Sequence, residues 1–140
     1  MNRSEDGGGR ILGIDHVAIT VTDLEASCRF YGGLFSAKTR VTYAPDGKPL
    51  VRQIALGGAL LSIHQAGNGI ELAAKNPTIG SADLCFRWGG DIASAIALLR
   101  ERGIEIVEGP VPRRTADDLP SQSVYFRDLD ANLIELMASE

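Results

Sequence analysis

Long apolar runs, an excess of basic charge and a cysteine framework are all missing from this chain of 140 residues. No apolar stretch approaches the ~20 residues that cross a bilayer as a helix. Lys and Arg number 14 against 18 Asp and Glu, a net charge of −4. That balance leaves no electrostatic footprint for nucleic acid or an anionic membrane. The 2 cysteines, Cys28 and Cys85, fall in a predicted helix and a predicted strand and read as packed thiols, not a disulfide framework. Residues 1–10 are polar and glycine-rich and lack the apolar core of a signal peptide, so a flexible leader on a cytoplasmic protein is expected. The Gly7-Gly8-Gly9 run follows no strand and is no phosphate loop. What is present is a 44% hydrophobic content, enough for a globular core in one compact unit or two halves sharing one.

Two polar residues stand out in apolar strands. Glu135 sits in Asn132-Leu133-Ile134-Glu135-Leu136-Met137. Alternation places Ile134 and Leu136 on one face, Leu133, Glu135 and Met137 on the other. A carboxylate between apolar neighbours is costly unless it is paired, hydrogen-bonded or bound to a cation. In Asp15-His16-Val17-Ala18-Ile19-Thr20-Val21, His16, Ala18 and Thr20 share one face. A histidine and a glutamate on the more polar faces of two strands are material for a metal site.

The chain repeats its own order. Residues 11–21 read as a strand, and Thr22 with Glu25 forms a capping box for a helix carrying Leu24, Cys28, Tyr31 and Phe35. Gly32-Gly33 are expected to fray its end. Strands follow at residues 38–43, 50–56 and 59–64. Residues 82–87 open the second unit. Asp91 caps a helix stopped by Gly103, and strands follow at 104–107, 123–127 and 133–137. A unit that cannot bury its sheet face alone implies two units packed together. The expected organisation is a leader over 1–10 and one domain over 11–138. Its first module covers 11–66, its linker 67–80 and its second module 81–138. Superposed, the halves place His16 opposite Asp83 and Ser62 opposite Glu135.

The opening Asp-His-Val-Ala-Ile-Thr-Val-Thr-Asp-Leu, the Phe30-Tyr31-Gly32-Gly33-Leu34-Phe35 stretch and the closing Ser-Val-Tyr-Phe-Arg-Asp-Leu-Asp-Ala-Asn-Leu-Ile-Glu-Leu resemble the vicinal oxygen chelate superfamily. Gly80 to Phe86 and Glu108 to Arg113 look most like a glyoxalase-like subgroup that includes virulence-associated bacterial proteins. The resemblance implies an α+β fold. Duplicated βαβββ modules would form one curled, eight-stranded mixed sheet around a cavity, with helices outside. It also implies a homodimer, since small members of the superfamily often pair and exchange halves.

Carried over by position, the superfamily's metal ligands fall on His16, Ser62, Asp83 and Glu135. His16, Asp83 and Glu135 form the expected shell, with His64 as a fourth ligand or a base. Asp83 stands where many members have histidine, and Ser62 where glyoxalase I has glutamate. Nitrogen and carboxylate donors suit Mn²⁺, Fe²⁺, Ni²⁺, Co²⁺ or Zn²⁺. Glu135 and His64 are the expected proton-moving groups. Arg87, Tyr125 and Arg113 are the expected substrate-binding residues: Arg87 for an anionic group, Tyr125 from the cavity face, Arg113 from a loop before the seventh strand. The implied activity is metal-dependent and glyoxalase-like, of lyase or isomerase type, on a small substrate with adjacent oxygens. An extradiol-type dioxygenase and a bleomycin-resistance-like sequestering protein are the alternatives.

Overall fold

The computed structural model describes residues 8–139. Residues 1–7 of the expected leader lie outside that range. The elements run β1 (His16–Val21), α1 (Leu24–Phe35), β2 (Thr39–Tyr43), β3 (Val51–Leu56), β4 (Ala59–Gln65), β5 (Asp83–Trp88), α2 (Ile92–Glu101), β6 (Glu108–Arg114), β7 (Pro120–Arg127) and β8 (Leu133–Ser139). The fold is α+β, with strands in two open four-stranded sheets ordered β1-β4-β3-β2 and β5-β8-β7-β6. In each, the first and last strands of the unit pair in parallel and the rest antiparallel.

Several local expectations change. The first strand begins at His16, not residue 11. Its partner β4 starts just after the Gly57-Gly58 turn, so the amide of Leu60 bonding the carbonyl of Asp15 ends the ladder. Asp23, not Thr22, caps α1, accepting from the Ala26 amide. Thr22 instead donates its hydroxyl to Asp130 at 2.6 Å. The Gly32-Gly33 pair does not fray the helix, which runs to Phe35 and ends at Ser36 in the left-handed region. Asp91 does cap α2, and Gly103 follows it at φ 69°.

The sixth strand lies at Glu108–Arg114, not 104–107. Ile104 and Ile106 are spent packing against the core instead. Arg113, placed in a loop by sequence, is therefore on a strand. Two prolines are tolerated there because β6 is an edge strand. Its register against β7 shifts between Glu108 and Val111. Gly109, at φ 105°, makes the bulge, and a Cβ there would strike the Ser123 carbonyl.

One apolar core serves both sheets. Ile19, Ile54, Leu61 and Ile63 from the first sheet join Val124, Phe126, Ile134 and Leu136 from the second, with Leu24, Tyr31, Ala95 and Leu99 from the helices. Helix α1 packs on β3 and β4 of its own sheet. It also sets Phe30 against Phe126 at 6.4 Å and Phe35 edge-on to Phe86 at 5.8 Å. Both helices join that core, and the opposite, more polar faces of the two sheets turn away from it.

Candidate functional site

Strand register puts the candidates on those outward faces. In the first sheet His16 pairs with Leu60, Ala18 with Ser62 and Thr20 with His64. In the second, Asp83 pairs with Leu133 and Cys85 with Glu135. The two registers are the same, so His16 corresponds to Asp83 and Ser62 to Glu135, as the repeat implied. The duplication is thus preserved in the hydrogen-bond ladder.

On the first sheet, His16 is exposed and its Nδ1 donates to Asp15 Oδ1 at 2.8 Å. A carboxylate on one ring nitrogen leaves the other oriented outward, an arrangement that suits a ligand imidazole. Asp15, next to His16 in the sequence, thus joins the candidate set as the group that orients its ring. Ser62 Oγ and His64 Nε2 share a hydrogen bond of 3.2 Å. Partial burial, then the positive field of His16, hold His64 below the usual imidazole range.

On the second sheet, Glu135 is flanked across the ladder by Cys85 on β5 and Tyr125 on β7. Cys85 is exposed, not packed, because β5 is an edge strand and the residue faces outward. Although the residue reaches the surface, partial desolvation by its neighbours, then the charge of Glu135 and a hydrogen bond to that carboxylate, push its thiol up to about 11. Tyr125 Oη accepts from Arg113 Nε at 2.9 Å, and Arg113 also lies 5.5 Å from the Tyr125 ring centre. Arg87 donates to Ser139 Oγ at 2.7 Å and stands 4.0 Å from Asp117.

Each sheet thus carries part of a donor set. Within one chain, no group of three or more His, Cys, Asp or Glu side chains among the described residues is close enough to hold a metal ion. A cleft of about 480 Å³ between β1, the 72–81 connection and the start of β5 is lined by His16, His64 and Asp83, but not by Glu135. A larger apolar cleft of about 540 Å³ lies on the helix side, and Arg87 is the one candidate residue on its wall. Its apolar lining offers no metal-binding chemistry.

Residues 13–136 match the model of the glyoxalase/bleomycin resistance protein/dioxygenase superfamily. The chain belongs to this superfamily. It is 40% identical over 125 residues to Virulence protein STM3117 of Salmonella typhimurium, covering 88% of this chain and 81% of that protein. The crystal structure of that protein superposes with a TM-score of 0.84 over 94% of this chain and all of the other, at 33% identity. The glyoxalase domain-containing protein RDO1 of Mycosarcoma maydis is 39% identical over 90% of this chain and 68% of its own length. An ethylmalonyl-CoA/methylmalonyl-CoA epimerase of Cereibacter sphaeroides is 30% identical over 88% of this chain and 95% of its own. The superfamily therefore includes enzymes. No described helix is long and apolar enough to cross a membrane.

Proposed function

We propose that this superfamily member is a metal-dependent glyoxalase-like enzyme, of lyase or isomerase type, acting on a small substrate with two adjacent oxygens. The observation that carries the reading is the shared register, with His16 and Asp83 at one position of the repeat and Glu135 at another. A divalent ion held by such nitrogen and carboxylate donors supplies Lewis-acid chemistry to neighbouring oxygens. One chain does not assemble the three donors, so the shell is completed by a second copy. Strands β1 and β5 are both sheet edges, and exposed edges are ready templates for pairing. A homodimer that sets the first sheet of one copy beside the second sheet of the other would bring His16 to Glu135 across the interface.

The chain's own residues have separable roles in this reading. His64, held below its usual range, is a neutral imidazole at neutral pH and can accept a proton from substrate carbon. Ser62, bonded to its Nε2, orients the ring. Asp83 is favoured over His64 for the shell because same-face neighbours on a strand lie ~6.6 Å apart, and ligand bonds of ~2.0–2.2 Å tolerate no such offset.

Metal content of protein purified without a nickel column tests the reading. Wild type should hold a divalent ion and gain melting temperature with added Mn²⁺. Glu135→Ala and Asp83→Ala should do neither, whereas His64→Ala should keep the ion. Equal shifts in wild type and Glu135→Ala would remove Glu135 from the shell. Loss of the ion in His64→Ala but not in Asp83→Ala would favour a dioxygenase-like set of two histidines and a carboxylate.

A further inference from the structure

Among the described residues, the hydroxyls of Ser121 and Ser123 are buried without a hydrogen-bond partner. These serines are 1% and 0% exposed. A hydroxyl buried without a partner loses its hydrogen bonds to water and gains none in return. The strand does not require it: the alternate positions of β7 hold Val124 and Phe126, the β-branched and aromatic types that strands favour.

Both serines lie on the same face of the sheet as Tyr125, Glu135 and Cys85, covered from solvent. Two guanidinium groups approach them from opposite edges of the sheet. From β6, Arg113 pairs with Ser121. It reaches the hydroxyl of Tyr125, two same-face positions along β7, and so spans the position of Ser123. From β5, Arg87 lies in register with Met137, which in turn pairs with Ser123. It bonds the hydroxyl of Ser139, the cross-strand neighbour of Ser121. Neither arginine is held in a close fork with a carboxylate: Arg113 is engaged by a phenol and the Pro112 carbonyl, and Arg87 stands 4.0 Å from Asp117.

We propose that Arg87, Arg113, Ser121 and Ser123 form an oxyanion subsite that binds a carboxylate or phosphate group of the substrate. The guanidinium groups exchange their present partners for the anion's oxygens, and the serine hydroxyls gain the acceptor they lack. This deepens the proposed function and rests on it for where the reacting end lies. The subsite is one same-face step, ~7 Å, from the row that holds Glu135. The substrate is then a short oxyacid or phosphate ester whose anionic group is a few bonds from its vicinal oxygens.

The test uses chelator-treated, ¹⁵N-labelled full-length protein, titrated with inorganic phosphate and separately with acetate at constant ionic strength in chloride. The Nε–H signals of Arg87 and Arg113 should move together and saturate in the millimolar range. Arg113→Ala should weaken binding about tenfold, as expected for a lost charge-assisted hydrogen bond. Ser123→Ala should weaken it about threefold while the melting temperature holds or rises, because an unpaired hydroxyl has been removed. Whichever anion binds more tightly identifies the group. No saturable shift by about 50 mM, the same shift with chloride alone, or unchanged affinity in Arg113→Ala would overturn the subsite. So would a Ser123→Ala variant that loses stability and keeps affinity. No metal is present in the titration, so its failure leaves the metal reading standing, and loss of the metal reading leaves this result unaffected.

Discussion

Glu135 governs the chemistry of its neighbour as well as its own. Its charge and hydrogen bond, acting after burial, hold the exposed thiol of Cys85 at about 11, so little reactive thiolate exists at pH 8. Glu135→Gln removes the charge and should speed alkylation of Cys85 by iodoacetamide severalfold at pH 8. Buried Cys28, raised to about 11 chiefly by burial, serves as the internal control and should not change. An unchanged Cys85 rate would show that burial alone sets it. His64 gives a stability signature of known sign. Its folded pKa lies below the ordinary 6.5, so the unfolded chain binds more protons near that pH and stability rises with pH there. The contribution is fully present above 6.5 and falls away as pH drops toward the folded value. His64→Gln should flatten the melting-temperature profile over that window, and an unchanged slope would assign it elsewhere. The strands and faces of Glu135, His16 and Asp83 were legible in the sequence because a charged or ring-nitrogen group in an alternating strand announces itself. Ser121 and Ser123 were not: serine on a strand looks ordinary until its partners can be counted.

Helices and strands were legible where the pattern was local. The alternation of β4, β5 and β8 and the Asp91 cap needed no tertiary information. What failed depended on partners distant in sequence. Residues 11–14 are apolar enough to read as the start of a strand but have no ladder to join. Residues 108–114 carry two prolines that argue against a strand, yet an edge position accepts them. Thr22 has a capping side chain, but Asp130 of the β7–β8 turn takes it. That turn fastens the two units together. Asp128 accepts from Tyr31 at 2.5 Å, from the backbone amides of Asp130 and Asn132, and from the Asn132 side chain. Burial, helped by the Asp128 carboxylate, drives the Tyr31 hydroxyl far above its usual range, so it stays a donor. Tyr31→Phe should cost about 1–2 kcal/mol by leaving that carboxylate short of a donor. Asp128→Ala should cost about 3 kcal/mol or more, because several buried donors lose their acceptor together. Urea denaturation of both variants checks the order, and a Tyr31→Phe loss as large as that of Asp128→Ala would show that the turn depends on the helix contact alone.

At the scale of the whole molecule, the duplicated fold was readable, but whether one chain gathers all three donors was not. Periodicity reports which side of a strand is apolar and is silent on whether two apolar faces meet each other or a separate helix layer. Here they share one core with both helices, and His16 and Asp83 line one cleft without Glu135, so no three donors of one chain come together among the described residues. If a second copy closes the site, two defective chains should repair each other. In a mixed dimer of His16→Ala and Glu135→Ala chains, one interface combines both lesions. The other combines the intact His16 of one chain with the intact Glu135 of its partner. Each variant alone should bind no metal and sediment as a dimer of the 14.9 kDa chain. After unfolding, equal mixing and refolding, random pairing makes half the dimers mixed, and each mixed dimer has one good site of two. Metal content should therefore recover to about a quarter of wild type, the level that statistical pairing of a closed two-fold dimer dictates. A site built within one chain gives no recovery, since every chain in the mixture carries a lesion. Recovery near zero, with mixed dimers confirmed by mass, would return the site to a single chain and require the two sheets to rearrange around it.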